Sequence, residues 1–304
     1  MSIDLNLQQF LSYIFNILFY SLFKICNYFT SDYNALRICM RLFIYYPQYY
    51  FSISIQKLFR SLLGHTKITP LENLDDNGTV PIVTITNEHN VSEDILSILY
   101  IHGDEYTSRR HFCTELYRRL EHKFPSKKIE IHIPLYRSYP EYSIEISLSD
   151  IAVVYKDLKN KSRMLWIIAD SFGGSLVIQL ATELSELDCD GMILLSPITN
   201  LYCDYPSFES VKDDCLYPIE AKKMIQSRIN MEALHNISII PISIPIYIFV
   251  SRNELCRDDS RDLYRINRHA RLYETPDTVH LFPLFWHIHE KGNRALSKMV
   301  SLIN

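Results

Sequence analysis

A chain of 304 residues, 47% of them apolar, can bury one large core and fits a large domain with a subdomain better than two equal domains. Its net charge of −4 leaves no electrostatic footprint for nucleic acid, so that class of partner drops out. Seven scattered cysteines show neither metal-ligand spacing nor a disulfide framework, and eleven histidines contain no His-Glu-x-x-His, so no metal is implied.

Residues 10–23 are rich in large apolar side chains, but Gln9, Ser12, Asn16, Tyr20 and Lys24 recur about every fourth residue. That spacing draws one narrow polar stripe on an otherwise apolar helix. Asp4 precedes the run and no Lys or Arg does, which argues against a cleaved secretory signal. The run is also short and interrupted for a membrane span, which needs roughly 20 apolar residues. Three readings stay open: a helix capping the core, an interfacial membrane helix, or a signal anchor. A second aromatic-rich stretch, 42–63, carries Tyr45, Tyr46, Tyr49, Tyr50 and Phe51 with Arg41, Lys57 and Arg60, and continues the same layer. Residues 1–66 are therefore expected to be a helical cap or a membrane-associating segment, with membrane contact through 10–63. The corresponding location is cytoplasmic or membrane-associated, the endoplasmic reticulum included.

From about residue 67 the texture changes. Polar residues 71–78 read as a turn. Short β-branched runs follow at 80–86, 95–101, 129–133, 164–168, 192–195 and 244–250, with a shorter strand at 271–273. Helical patterns fall near 108–122, 147–160, 173–187, 258–270 and 288–303. The later runs are apolar along their whole length, as parallel strands covered on both faces must be. Such alternation predicts an α/β fold with a mostly parallel sheet and helices on both faces.

Four landmarks lie along this frame. Tyr100-Ile101-His102-Gly103-Asp104-Glu105-Tyr106 ends a buried strand in His-Gly, leaving backbone N–H groups of Gly103 and Asp104 to face the strand tops. With the N–H of Phe172 they are the expected donors to a tetrahedral oxyanion. Next, the apolar run ending in Ala169-Asp170-Ser171-Phe172-Gly173-Gly174 reads as strand, sharp turn, helix. Small residues two before and two after Ser171 let the strand and helix backbones nearly touch, which pushes the serine out as a candidate nucleophile. The loop 251–260 after the 244–250 strand can supply a carboxylate that orients a histidine. Last, His280 opens a helical pattern. The chain order serine, acid, histidine differs from the orders of chymotrypsin and subtilisin.

On these blocks the chain from about residue 70 resembles the hormone-sensitive-lipase-like branch of the α/β-hydrolases, which includes carboxylesterases and steryl-ester deacetylases. The His102-Gly103-Asp104-Glu105 run resembles the family's His-Gly-Gly-Gly, with two glycines replaced by acids. Tyr136-Arg137-Ser138-Tyr139-Pro140-Glu141 is similar to Tyr-Arg-Leu-Ala-Pro-Glu. Ala169-Asp170-Ser171-Phe172-Gly173-Gly174 parallels Gly-Asp-Ser-Ala-Gly-Gly, and Leu194-Leu195-Ser196-Pro197-Ile198-Thr199-Asn200-Leu201 parallels Leu-Ser-Pro-Trp-Val-Asp-Leu. The family's acid often sits at the position of Asn253, which carries no charge; some members use a glutamate one place later, which makes Glu254 the expected acid.

The resemblance implies an α/β-hydrolase catalytic domain over 67–304 with a helical cap, formed by the N-terminal segment and an insertion at about 201–240. It implies a serine carboxylic-ester hydrolase with Ser171, Glu254 and His280 as catalytic residues, and that chemistry needs no cofactor. Gly103, Asp104 and Phe172 would form the oxyanion hole, and Tyr106, Leu281 and Phe282 would line the substrate site. The aromatic cap suggests a small hydrophobic ester, acyl or steryl. The contrasting reading is a decayed hydrolase kept as a ligand-binding protein, on the grounds of Ala169, the acidic oxyanion turn and Asn253. A serine peptidase of the same fold is a weaker third, since no domain is large enough to gate peptides.

Overall fold

The computed structural model describes residues 24, 34, 35, 37, 68–73, 78–87, 92–103, 106–138, 141–184, 187–212, 214–227 and 243–304. The expectations for nearly all of 1–66, for Asp104, and for the insertion beyond residue 227 lie outside them, as does the side chain of Tyr106. Among the described residues no helix is long and apolar enough to cross a membrane.

The expected strand runs become seven strands of one eight-stranded sheet, the eighth being β1. In chain order these are β1 (Ile68–Asn73), β2 (Gly78–Thr86), β3 (Ile95–Ile101), β4 (Lys128–Pro134), β5 (Met164–Asp170), β6 (Gly191–Leu195), β7 (Ile246–Ser251) and β8 (Ala270–Thr275). Their spatial order is β1-β2-β4-β3-β5-β6-β7-β8. Pairings from β4 to β8 are parallel, and β2 runs antiparallel to both β1 and β4. The central strands are buried along nearly their whole length, which their uninterrupted apolar sequences require.

Connections are helical: α1 (Tyr106–Lys123) joins β3 to β4, α2 (Ile144–Lys161) joins β4 to β5, α3 (Phe172–Glu183) joins β5 to β6, and α6 (Arg257–Ile266) joins β7 to β8. Two short helices, α4 (Pro206–Ser210) and α5 (Pro218–Ser227), lie in the long β6–β7 connection, and α7 (Glu290–Leu302) closes the chain. The step from β3 to β4 runs one way across the sheet and the later steps run the other way. Right-handed crossovers therefore place α1 on one face and α2, α3 and α6 on the other. Contacts of α7 with α1, and of α2 with α3, agree with that division. The strand order reverses between β3 and β5, and the carboxyl ends at such a switch point are where open α/β sheets hold their sites.

Several boundaries differ from the sequence expectation. Part of the expected turn at 71–78 is β1, paired from Ile68 with Val83 to Asn73 with Gly78. These residues form an edge strand, held to β2 by a backbone ladder. The strand expected from 244 starts at Ile246, after Pro245, which has no N–H to give to a ladder. The helix expected to reach 270 stops at Ile266, where the Asn267 amide nitrogen donates to the Leu263 carbonyl at 3.0 Å and ends the ladder. His280 opens no long helix: Leu281 turns left-handed at φ 57°, a single 3-10 turn spans Phe282–Phe285, and α7 starts only at Glu290.

Candidate active site

Every residue of the site leaves the carboxyl end of a parallel strand. At the end of β5, Ser171 has φ 51° and ψ −119°, a conformation that side chains avoid and that local packing must enforce. That packing is visible at the flanking glycines. A Cβ on Gly173 would stand 2.3 Å from the Ile101 carbonyl oxygen, and one on Gly174 would stand 2.6 Å from the Pro197 Cβ. Strand β3 and the β6 loop press on the first turn of α3, so only glycine fits there. Ala169, two residues before Ser171, is fully buried in β5, and its one methyl is accommodated. Backbone bonds complete the clamp: Ser171 N–H donates to Leu195 O at 2.9 Å, and Ile198 N–H donates to Ser171 O at 3.1 Å.

Around this elbow the expected residues converge. Ser171 Oγ lies 3.2 Å from His280 Nε2, across 109 positions of sequence. His280 Nδ1 lies 3.4 Å from Glu254 Oε2, an ion-pair contact longer than an ordinary hydrogen bond. All three are buried, Glu254 completely, so their charges act where little water screens them. Burial by itself pushes the His280 imidazole down. Glu254, Asp214 and Asp170 outweigh it and hold the ring above the ordinary histidine range. Burial pushes the Glu254 carboxyl up, with His280 and the Ser196 hydroxyl offsetting part of that.

The acid and histidine loops are tied together. Ser251 Oγ donates to Thr278 O at 2.7 Å, Arg252 N–H to Thr275 O at 2.9 Å, and Asp277 N–H to the Asn253 side-chain oxygen at 2.9 Å. Asn253 is thus a stitch between loops, and the acid beside the histidine is Glu254. Ser196 adds a bridge that the sequence reading placed inside a family block without assigning it a role. Its hydroxyl donates to Glu254 Oε2 at 2.9 Å and accepts the Leu281 N–H at 3.0 Å, locking the acid to the residue after His280.

Asp170, next to the nucleophile, is also completely buried. Arg109 of α1 grips it with two bonds, Nη2 to Oδ1 at 2.8 Å and Nε to Oδ2 at 3.0 Å, and the Tyr100 hydroxyl donates at 2.7 Å. Burial raises this carboxyl, but Arg109 and Tyr100 outweigh it and hold it below its ordinary value. Neither Arg109 nor Tyr100 carried a sequence signal for this role.

Gly103 departs from expectation. Its N–H donates to Asp170 Oδ1 at 3.1 Å. A carboxylate carrying full negative charge takes this donor, so Gly103 is removed from the expected oxyanion hole. The turn is braced from below as well: the His102 ring stacks on Tyr136 at 4.6 Å, and the Tyr136 hydroxyl donates to His102 O. Phe172 begins α3 directly after Ser171, and Asp104 lies outside the described residues. Of the expected substrate-binding residues, Leu281 is buried beside His280, with its N–H on Ser196. Phe282 has no exposed surface; it is core, and the expectation that it lines the substrate site is corrected. Tyr106 is the first residue of α1.

Among the described residues no group of three or more His, Cys, Asp or Glu side chains is arranged to hold a metal ion. The five described cysteines, Cys113, Cys189, Cys203, Cys215 and Cys256, are free thiols.

Residues 98–284 match a protein family described as alpha/beta hydrolase fold. No curated protein matches the sequence. Solved structures with this fold include EstE5 soaked with p-nitrophenyl butyrate, at 20% identity and TM-score 0.64, over 78% of this chain and 83% of that one. An esterase from the bacterial hormone-sensitive lipase family aligns at 18% identity and TM-score 0.65, over 81% and 89%. Carboxyl esterase 2 from the mycorrhizal fungus Tuber melanosporum aligns at 16% identity and TM-score 0.63, over 77% and 85%.

Proposed function

The chain belongs to the α/β-hydrolase fold family, and from that premise we propose that it hydrolyses carboxylic esters through an acyl-enzyme. The observation that carries the proposal is the serine–imidazole–carboxylate chain running from Ser171 through His280 to Glu254. In the first step Ser171 Oγ attacks the ester carbonyl carbon while its proton passes to His280 Nε2. The imidazolium then gives that proton to the departing alcohol. Water repeats the sequence on the acyl-enzyme and releases the acid. Glu254 holds the ring orientation and stabilises the imidazolium without taking its proton.

The oxyanion donors in this reading are the backbone N–H groups of Phe172 and Asp104. Gly103 holds the turn in place through Asp170 instead. The Arg109 guanidinium cancels the Asp170 charge, which would otherwise oppose a developing oxyanion close by. The substrate class is a small hydrophobic ester, a preference supported by the aromatic composition of residues 10–63. The same composition supports contact of that segment with a membrane surface, tested by membrane fractionation with and without residues 1–30. Turnover of a small aryl acetate is expected and should vanish in Ser171→Ala; undiminished activity in that variant refutes the mechanism.

One observation favours the reading of a decayed binding protein: the Gly103 N–H is committed to a carboxylate and acidic residues follow it. A fluorophosphonate probe separates the two. It labels Ser171 in a working hydrolase and leaves it unlabelled in a decayed one.

A further inference from the structure

Glutamate has one more rotatable bond than aspartate, and the torsion that turns its carboxyl is broad and roughly two-fold. Nothing within Glu254 therefore decides which of its oxygens faces His280. In the folded chain the choice is made: Oε2 lies 3.4 Å from His280 Nδ1, while Oε1 has no hydrogen-bond partner among the described residues. Oε2 is also the atom that accepts the Ser196 hydroxyl, at 2.9 Å.

Ser196 is itself held still. It follows β6 directly, its N–H donates to Phe249 O of β7 at 2.8 Å, and none of its surface is exposed. Its φ of 46° belongs to the left-handed region, where glycine is the default, yet a side chain stands there. The polarity of its bonds is fixed: the Leu281 N–H can only donate, so Oγ accepts it at 3.0 Å and turns its own hydrogen to Glu254. Leu281 follows His280 and is also left-handed, at φ 57°. One residue before Ser196, Leu195 O accepts the Ser171 N–H at 2.9 Å. The end of β6 is therefore the common support of the nucleophile, the acid and the histidine loop.

We infer that Ser196 is a positioning residue for proton transfer: its hydroxyl selects the Glu254 oxygen that meets His280 and keeps that oxygen in register with the backbone carrying the ring. It acts through Glu254 and not on the reacting atoms, so removing the acid should also remove most of what Ser196 contributes. This rests on the esterase reading above and deepens it, because it concerns the same proton path.

The test is a double-mutant cycle on the full chain with a small aryl ester. Ser196→Ala and Ser196→Gly both delete the hydroxyl, and glycine does so without strain at a left-handed φ. In the wild-type background each should lower kcat at least about tenfold, with KM changed less than about twofold, as expected when a proton-transfer group is mis-aimed. In a Glu254→Ala background no carboxylate is left to aim, and the same changes should lower kcat no more than about threefold. An equal loss in both backgrounds means that the hydroxyl only holds loops together, and overturns the inference. So does failure of both Ser196 variants to fold. If the Glu254→Ala chain does not fold, the Nδ1–H resonance of protonated His280 decides by 1H NMR: displacement in Ser196→Gly is expected, and an unmoved resonance overturns the inference. Failure of the esterase reading looks different, since the wild-type chain would then neither turn over the ester nor react at Ser171 with a fluorophosphonate.

Discussion

Two buried carboxylates stand on either side of the same serine–histidine contact, and they are handled in opposite ways. Asp170 receives two bonds from Arg109, one from Tyr100 and one from Gly103, and its carboxyl is held below the ordinary range. Glu254 receives the Ser196 hydroxyl and faces His280, while its Oε1 has no hydrogen-bond partner among the described residues, and burial pushes it up. The first charge is spent on architecture, pinning α1 and the His-Gly turn to the elbow. The second is left under-compensated, so that a histidine gaining a proton is the group that relieves it. The difference teaches that, in a dry interior, the count of donors around a carboxylate tells whether it builds the site or works in it.

Glu254→Gln breaks the comparison most directly. It should lower kcat by about 10³-fold or more, the order found when such an acid is neutralised without changing shape, with Tm close to that of the wild-type chain. The mirror-image change, Arg109→Met, should instead show as lost stability, about 3–5 kcal/mol in urea denaturation, because it strands a fully buried carboxylate. A second substitution, Asp170→Asn, should recover part of that loss.

Asp259 extends the comparison to a third buried acid. In the first turn of α6 it accepts the N–H groups of Thr199 and Asn200 at 2.8 and 2.7 Å, with no cation bonded to it among the described residues, and burial pushes its carboxyl up to about 7. The folded chain then binds this proton more tightly than the unfolded chain does. Its contribution to stability is present below about pH 4 and is lost as pH rises through about 7. Asp259→Asn should therefore gain stability relative to the wild-type chain between pH 4 and pH 8, by roughly 2–4 kcal/mol at about 1.4 kcal/mol per pH unit, read from urea denaturation at the two pH values. The smallest effect sharpens the working side: the acidic limb of kcat/KM should lie above the ordinary histidine value of about 6.5, since His280 must be neutral to act and its neighbours hold it high.

The elbow was the most legible part of the site. Its small residues stand out in the string, and the contact of Gly173 with Ile101 on the neighbouring strand shows why nothing larger fits. The strand periods were equally legible, because an apolar run reports burial on both faces. The acid was harder, since Asn253 and Glu254 are neighbours, and their roles separate only in the tertiary contacts of Glu254 with His280 and of Asn253 with Asp277. Residues 71–73 of edge strand β1 fall within the stretch that reads as a turn, because its ladder is made by backbone, which composition does not index.

From the residues alone follow the alternation of strand and helix, the sharp turn at Ser171 and the chain order of serine, acid and histidine. Each is carried by periodicity, by residue size or by position along the chain, which a linear string records. Folding in three dimensions decided which donor meets which oxygen. Gly103 turned out to serve Asp170 across 67 positions, Arg109 to neutralise it across 61, and Asp214 to hold the acid loop across 41. Hydrogen bonds in a buried interior depend on the relative placement of distant segments to within a few tenths of an ångström, and that placement belongs to the packed sheet and its loops, not to any one stretch of chain.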